Sequence, residues 1–206
     1  MHEYALLNAD AGFIMMSKLS TPVKIHTPRL KLLSPRRSMA PAIADFFLRN
    51  RQHLAPWSPR MRDAFYTAAF QEEKIVKEQE LLQQKSGLRF WLFALSDTHC
   101  EHVLGQIHFS NLVWGGFCSG FLGYSLCEQE QGKGYMTEAL GASIQYVFDH
   151  WKLHRIEANI MPRNAPSIQV VKKLGFQCEG RSPKYLKING QWEDHDHYVL
   201  RNLALE

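Results

Sequence analysis

Residues 122–136 read LGYSLCEQEQGKGYM, and this stretch decides the fold. An apolar segment ends near Leu126, a polar loop containing Gly132 and Gly134 follows, and helical periodicity begins at about residue 134. Beyond it, the residues whose helical spacing places them on one largely apolar face are Met136, Ala139, Leu140, Ser143, Ile144, Val147 and Trp151. The stretch therefore predicts a strand, a glycine loop and a long amphipathic helix.

The glycine loop has the properties of an anion-binding site. The first amides of a helix have no intrahelical partner, and the helix dipole places partial positive charge there. Gly132 and Gly134 have no Cβ, so a phosphate can approach the backbone, and Lys133 adds a positive charge. From these residues alone, the alternative is a strand–turn–helix junction in which the glycines serve only to allow the turn. The spacing is not that of a Walker A loop, and Thr137 occupies the third glycine position of the dinucleotide fingerprint.

Composition indicates an ordinary globular protein of one domain. The 206 residues are 45% hydrophobic and 21% charged, which is enough chain for a sizeable core. Lys and Arg number 24 against 20 Asp and Glu, which gives a net charge of +4. This mild excess is too weak to indicate DNA or RNA binding and fits small anionic ligands equally well.

Cysteine and histidine spacing favours a cytoplasmic protein without a metal. The four cysteines form no Cys-x-x-Cys pair, so we interpret them as reduced thiols: Cys100, Cys118, Cys127 and Cys178. His195 and His197 could suggest a metal, but alternation along a strand also puts both on one face, and we predict no metal site. Neither a transmembrane run nor a secretory signal is expected from the sequence.

Periodicity along the chain predicts the remaining elements. In order, these are a strand from Thr27, helices at 38–54 and 67–85, strands at 89–96, 102–110 and 117–126, the long helix, a strand at 154–161, a short helix between Pro162 and Gly175, and strands at 176–181 and 192–200. This order predicts an α/β (α+β) fold, with a mixed, strongly twisted sheet of about seven strands flanked by about four helices. We expect one domain over residues 22–206, preceded by an extension of uncertain order over residues 1–21.

Several separated motifs resemble one family. The order Gln129-x-x-Gly132-x-Gly134 resembles the Gln/Arg-x-x-Gly-x-Gly/Ala signature of the GNAT acetyltransferases, whose loop holds the pyrophosphate of acetyl-CoA. The version here is similar to the RimJ/RimL-type branch, which acetylates N-terminal amines of ribosomal proteins. The further matching motifs are Thr-Pro-Arg-Leu from 27, Asn-x-x-Ser from 164, Leu-Gly-Phe from 174 and Gly-Gln-Trp-x-Asp-His at 190–195. The resemblance covers about residues 22–200 and implies a single-domain GNAT fold.

The resemblance also implies which residues bind acetyl-CoA. Backbone groups at the end of the central strand would bond the pantetheine arm, namely those of Tyr124, Ser125 and Leu126. The loop and first helical turn would hold the phosphates through Gln131, Gly132, Lys133, Gly134, Tyr135, Met136 and Thr137. The short helix would contribute Asn164, whose alternative role is a helix cap, and Ser167.

Catalytic roles are implied for two residues. Many family members use a tyrosine to protonate the departing thiolate, but Val171 stands at that position, which favours Ser167. Asp194, on the last predicted strand, is the candidate general base, and the alternative is an ordinary carboxylate at a strand end. Lys184 stands where RimL-type enzymes carry a carboxylate, so their base does not carry over directly. An α-amine titrates near ~7.7–8.0 and a lysine near ~10.4, so an N-terminal acceptor needs only a weak base.

The resulting prediction is an acetyltransferase in which the N-terminal amine of Ala or Ser in a ribosomal protein attacks the thioester directly. The ribosome is a further expected partner, DNA and membranes are not, and the enzyme is expected to be a monomer or homodimer. Two alternatives remain open from the sequence. The same fold could acetylate a small amine such as a polyamine, antibiotic or amino acid, or the chain could be a ribosome- or RNA-associated module with little catalysis, which the basic stretch 29–37 permits.

Overall fold

An eight-stranded sheet in the order β1-β2-β3-β4-β5-β6-β8-β7 forms the centre of the computed structural model, which describes residues 22–206. Its strands are β1 (Lys24–His26), β2 (Leu30–Leu33), β3 (Leu88–Ala94), β4 (Gly105–Val113), β5 (Ser119–Leu126), β6 (Arg155–Ile160), β7 (Gln177–Ile188) and β8 (Gln191–Arg201). Neighbouring strands are antiparallel except β5 and β6, which are parallel. The mixed sheet predicted from the sequence is therefore confirmed.

Five α-helices accompany the sheet in the described part of the chain. They are α1 (Ala40–Arg49), α2 (Arg51–Leu54), α3 (Ala68–Gln83), α4 (Tyr135–Trp151) and α5 (Ala165–Lys173). The counts exceed the predicted seven strands and four helices for local reasons. The first strand is preceded by a short antiparallel partner, β1, and the predicted helix 38–54 divides at Asn50 into α1 and α2. The predicted extension, residues 1–21, lies outside the described residues.

Both faces of the sheet are covered. Residues of β3 alternate between two cores, as the period of a strand requires. Phe90 and Leu92 belong to the core that includes α4, which we call the α4 face, whereas Trp91 and Phe93 pack with α1 and α3 on the α3 face. The apolar run from Phe90 to Ala94 in β3 is explained by this double burial. No helix within residues 22–206 combines the length and apolar character needed to span a bilayer.

Candidate active site

The parallel strands β5 and β6 diverge and leave a gap between them. They pair only at Ser119–Arg155, Gly120–Ile156 and Phe121–Glu157, although β5 continues to Leu126 and β6 to Ile160. On its other side β5 stays paired with β4 as far as Leu126. The edge of β5 over residues 122–126 therefore has no partner strand in the described chain. Backbone amides and carbonyls along such an edge are available to an extended ligand.

The glycine loop follows β5 and ends at the amino terminus of α4. Gly132 (φ 73°) and Gly134 (φ 80°) adopt the left-handed conformation that residues with a side chain avoid. Gly134 is the N-cap of the 17-residue helix α4, and no side chain caps it. Within residues 22–206, no acceptor bonds the backbone amides of residues 132–137. Such a row of free amides at the positive end of a helix can bind an anion.

An amino-terminal segment braces this loop. Glu138, in the first turn of α4, accepts hydrogen bonds from Thr27 Oγ1 (2.6 Å), the Arg29 amide (3.0 Å) and Arg29 Nε (2.6 Å). The Arg29 guanidinium also donates to the Lys133 carbonyl at 2.8 Å and lies 4.7 Å from the centre of the Tyr135 ring. Burial alone raises the pKa of Glu138, but the hydrogen bonds from Thr27 and Arg29 and the Arg29 charge hold it below its usual value. Glu138 and Arg29 were not predicted as site residues.

Side chains of the predicted loop residues point in different directions. Lys133 Nζ is paired with Glu130 at 2.9 Å, and the Gln131 amide nitrogen lies 3.1 Å from His53 Nε2. Met136 is buried in the core, so only its backbone amide is available to a ligand. The main chain is thus the part of this loop best placed to contact an anion, and the side-chain role predicted for Lys133 stays a prediction.

Two hydroxyl groups meet beside the gap. Ser167 Oγ donates to the Tyr124 hydroxyl at 2.7 Å, and that hydroxyl donates to the Ser167 carbonyl at 3.0 Å. Asn164 caps α5 by accepting from the Ser167 amide at 3.3 Å. Burial raises the pKa of Tyr124 to about 12, although the hydrogen bond with Ser167 lowers it in part. Tyr124 therefore carries a neutral hydroxyl at physiological pH. From the sequence, a role was predicted only for the backbone of Tyr124, so its side-chain hydroxyl is an additional group in the site.

The other predicted residues of β5 and β8 have structural contacts. Ser125 Oγ accepts from Gln106 Nε2 at 3.1 Å, and Leu126 packs against the core. Asp194 Oδ1 accepts from the Lys184 amide at 2.9 Å, at an irregularity of β7 where Lys184 has a φ of 49°. Asp194 thus holds a bulge in β7, and its role as a base stays a prediction.

The arrangement suits a long ligand with an anionic end. Anionic groups can bind the free amides at residues 132–137, and an extended arm can lie along the free edge of β5. The reactive end would then reach the hydroxyl groups of Tyr124 and Ser167. These groups can donate a proton or a hydrogen bond to a leaving group.

Comparisons with known proteins agree with this geometry. Residues 29–177 match the family described as acetyltransferase (GNAT) domain. The [ribosomal protein uS5]-alanine N-acetyltransferase of Escherichia coli (strain K12) is 37% identical over 173 residues, which cover 84% of this chain and 88% of that protein.

Solved structures also resemble the whole described domain. The ribosomal-protein-S5-alanine acetyltransferase from Vibrio fischeri superposes with a TM-score of 0.84 at 35% identity, over 89% of this chain and 99% of that one. Mycobacterium smegmatis RimJ in complex with CoA-disulfide gives a TM-score of 0.79 at 27% identity, over 85% and 83% of the two chains. The matched family region includes β5, the glycine loop, α4 and α5.

Proposed function

The chain belongs to the GNAT acetyltransferase family, and from that premise we propose that it acetylates the N-terminal alanine or serine of a ribosomal protein. Acetyl-CoA is the acetyl donor of this family. The acceptor is supported by the similarity to the alanine N-acetyltransferase of ribosomal protein uS5, which extends over 84% of the chain. We propose the cytoplasm as its location, since ribosomal proteins are made there.

The row of free amides at residues 132–137 is the observation that carries the donor assignment. These amides would hold the pyrophosphate of the coenzyme, because they offer hydrogen bonds and positive potential without a competing internal acceptor. A Cβ added at Gly132 would meet no atom within 4 Å, so the loop is open on the side from which a phosphate can approach. The free edge of β5 would bind the pantetheine arm.

The chemistry of an α-amine suits this site. At neutral pH roughly a tenth of an α-amine is neutral, whereas a lysine side chain is almost entirely charged. The neutral nitrogen attacks the thioester carbon, the new carbon–nitrogen bond forms, the carbon–sulfur bond breaks and the nitrogen gives up its surplus proton to water. Ser167 and Tyr124 are joined by a hydrogen bond. In this proposal Ser167 gives its proton to the departing thiolate and regains one from water.

Mass spectrometry of acceptor peptides tests the proposal. Peptides that begin with free Ala or Ser and copy ribosomal-protein N-termini should each gain one acetyl group on the α-amine. Matched peptides with a blocked N-terminus and an internal lysine should remain unmodified. Acetylation of only lysine side chains, polyamines or free amino acids would overturn the proposed acceptor. Ribosomal proteins from a strain that lacks this enzyme should carry a newly free N-terminus.

A further inference from the structure

The imidazole of His108 lies over β5 where that strand borders the gap. His108 of β4 is the partner of Gly123 in β5, and a Cβ added at Gly123 would overlap Cε1 and Nε2 of the ring. The ring therefore leans from β4 across β5, towards the gap, and fills the space of a side chain at residue 123. We propose that His108 determines acceptor specificity by donating a hydrogen bond from Nε2 to the first carbonyl of an N-terminal acceptor.

An N-terminal residue differs from a lysine side chain in what lies next to its amine. In the first residue of a peptide, the amine nitrogen and the carbonyl carbon are bonded to the same Cα. The amine of a lysine stands at the end of a four-carbon stem and has no such neighbour. A donor fixed beside the reacting centre can therefore favour an N-terminus. This inference rests on the proposed function, because it concerns how the same site recognises its acceptor.

The shape of the gap determines where the reactive end of the donor would lie. With the phosphates at residues 132–137, the arm would follow β5 back from Leu126 towards the point where β5 and β6 join, at Phe121 and Glu157. The thioester would then lie beside residues 122–124. Tyr124, whose hydroxyl meets Ser167, belongs to this segment. The leaving sulfur and the ring of His108 would thus be close to the same few residues of β5.

His108 and the hydroxyl pair lie on opposite faces of the sheet. Tyr124 contacts the core of the α4 face, so its neighbour Gly123 faces the α3 face. The ring of His108 lies over Gly123 and is therefore on the α3 face as well. An arm that takes the place of a missing strand lies about one strand spacing, roughly 4.8 Å, from β5. An acceptor residue above such an arm, on the α3 face, is within reach of Nε2.

The α3 face of β5 is open at this point. Phe121, Gly123 and Ser125 share that face by alternation, and all three are partly exposed. His108 also lines a cavity of about 340 Å³ between the end of α3 and the strands β3 and β4. Protein atoms therefore do not fill the space beside the ring. An acceptor can approach the thioester from this face, opposite the hydroxyl pair.

The surroundings of His108 keep its ring neutral and favour a proton on Nε2. Burial lowers the pKa of His108 well below its usual value, and the charges of Arg89 and Lys74 lower it further. Glu78, the acid beside them, is paired with Arg89 at 2.6 Å. Within residues 22–206, Nδ1 is buried without a hydrogen-bond partner, and a buried N–H without a partner is rarer than a buried lone pair. The neutral ring can then donate from Nε2, and it takes no proton from the acceptor.

Kinetics with two acceptor peptides test the hydrogen bond directly. The first peptide begins with alanine, and in the second a trans alkene replaces the first amide, which keeps the shape but removes the carbonyl oxygen. His108→Leu should lower kcat/KM for the first peptide about 5–10-fold, the usual contribution of one hydrogen bond, and leave that for the alkene peptide nearly unchanged. His108→Gln, whose side-chain amide can donate, should recover part of the loss.

Calorimetry with CoA checks that the variants keep their fold. Both should bind CoA with the Kd of the wild type, because His108 lies outside the glycine loop. His102→Leu is the matched control, since His102 is an exposed histidine in the segment before β4. Its kcat/KM should be that of the wild type with both peptides.

Nitrogen-15 NMR of the wild type gives a readout that depends on neither turnover nor a variant. His108 should be the neutral Nε2–H tautomer at pH 7. The alanine peptide, added to the CoA-bound protein, should shift the Nε2 resonance of His108 more than the alkene peptide does. A proton on Nδ1, or equal shifts with the two peptides, would overturn the inference.

The remaining outcomes separate the role of His108 from the proposed function. Unchanged kcat/KM in His108→Leu would overturn this role and leave the proposed acceptor intact. An equal loss with both peptides would also overturn it, because His108 would then act on a group that both reactions share, such as the thioester oxygen. If the wild type acetylates no peptide N-terminus, the proposed function fails and this inference fails with it.

Discussion

Glu138 and Arg29 lie 109 residues apart in the chain and are joined by two hydrogen bonds. The carboxylate belongs to the first turn of α4, and the arginine belongs to the segment that leads into β2. Arg29 also reaches the Lys133 carbonyl, so one side chain connects the amino-terminal strands with the glycine loop. Arg29 therefore supports the conformation of the glycine loop, although it is not one of the residues whose backbone amides are free.

Arg29→Gln should weaken CoA binding while the domain remains folded. The variant loses the charge-assisted bond to Glu138 and the support of the Lys133 carbonyl, but Arg29 is half exposed, which limits the effect. We expect the Kd for CoA to rise about 5–10-fold, or roughly 1 kcal/mol. Calorimetry measures this change. Arg37→Gln, which breaks an exposed pair with Glu72, is the control and should bind CoA normally; an equal loss in both variants would contradict a specific brace.

Ser167→Ala should slow the transfer without weakening the binding of the donor. Its hydroxyl is the predicted proton source for the thiolate, and we expect kcat to fall about 100-fold with little change in the KM for acetyl-CoA. A thioester whose leaving thiol is more acidic needs less protonation, so the loss should shrink with such a donor. Tyr124→Phe removes the neighbouring hydroxyl and should have a smaller effect of the same kind. An equal loss with both donors would argue against protonation by Ser167.

Lys74→Met should change how stability depends on pH. Burial, followed by the charge of Arg89, lowers the pKa of Lys74 from 10.5 to about 8, although Glu78 opposes the shift. Between these two values the unfolded chain binds more protons at this position than the folded one, so this lysine makes the wild type more stable as pH rises. The variant lacks this contribution.

Thermal melts of wild type and Lys74→Met measure the effect. At about pH 7 the variant should be more stable by about 1 kcal/mol, or roughly 2–4 °C, because the partly buried charge of the lysine is gone. The difference should diminish as pH rises from about 8 towards 10.5. A difference that stays constant over this interval would show that Lys74 does not titrate with a lowered pKa.

Local sequence patterns were sufficient to predict most of the elements. The helical face from Met136 to Trp151 and the apolar residues of β3 were read correctly, because periodicity reports which side of an element is buried. The strand β1 was missed, since three residues are too short for a periodic signal. The break at Asn50 depends on a distant contact: its side chain accepts from the Glu128 amide at 3.0 Å and donates to the Phe46 carbonyl.

Only the part of the candidate site that is contiguous in the sequence could be predicted. The glycine loop is contiguous, so its free amides follow from the glycines and the helix start. The contact between Ser167 and Tyr124 requires α5 to be placed against β5. The hydrogen bonds that join His197 to Glu157 and to Ser182 likewise require the register of β6, β7 and β8, including a bulge. No spacing along the chain encodes these registers.

Calorimetric titration of CoA into three proteins tests the central claim, that the amides of the glycine loop hold the coenzyme. Gly132 and Gly115 form a matched pair, with φ of 73° and 74° and no atom within 4 Å of an added Cβ, but only Gly132 lies in the loop. The wild type and Gly115→Val should bind CoA with the same Kd, and Gly132→Val should weaken binding at least about 10-fold, since its side chain disturbs the amides that face the phosphates. No heat with the wild type, or wild-type affinity in Gly132→Val, would contradict the account.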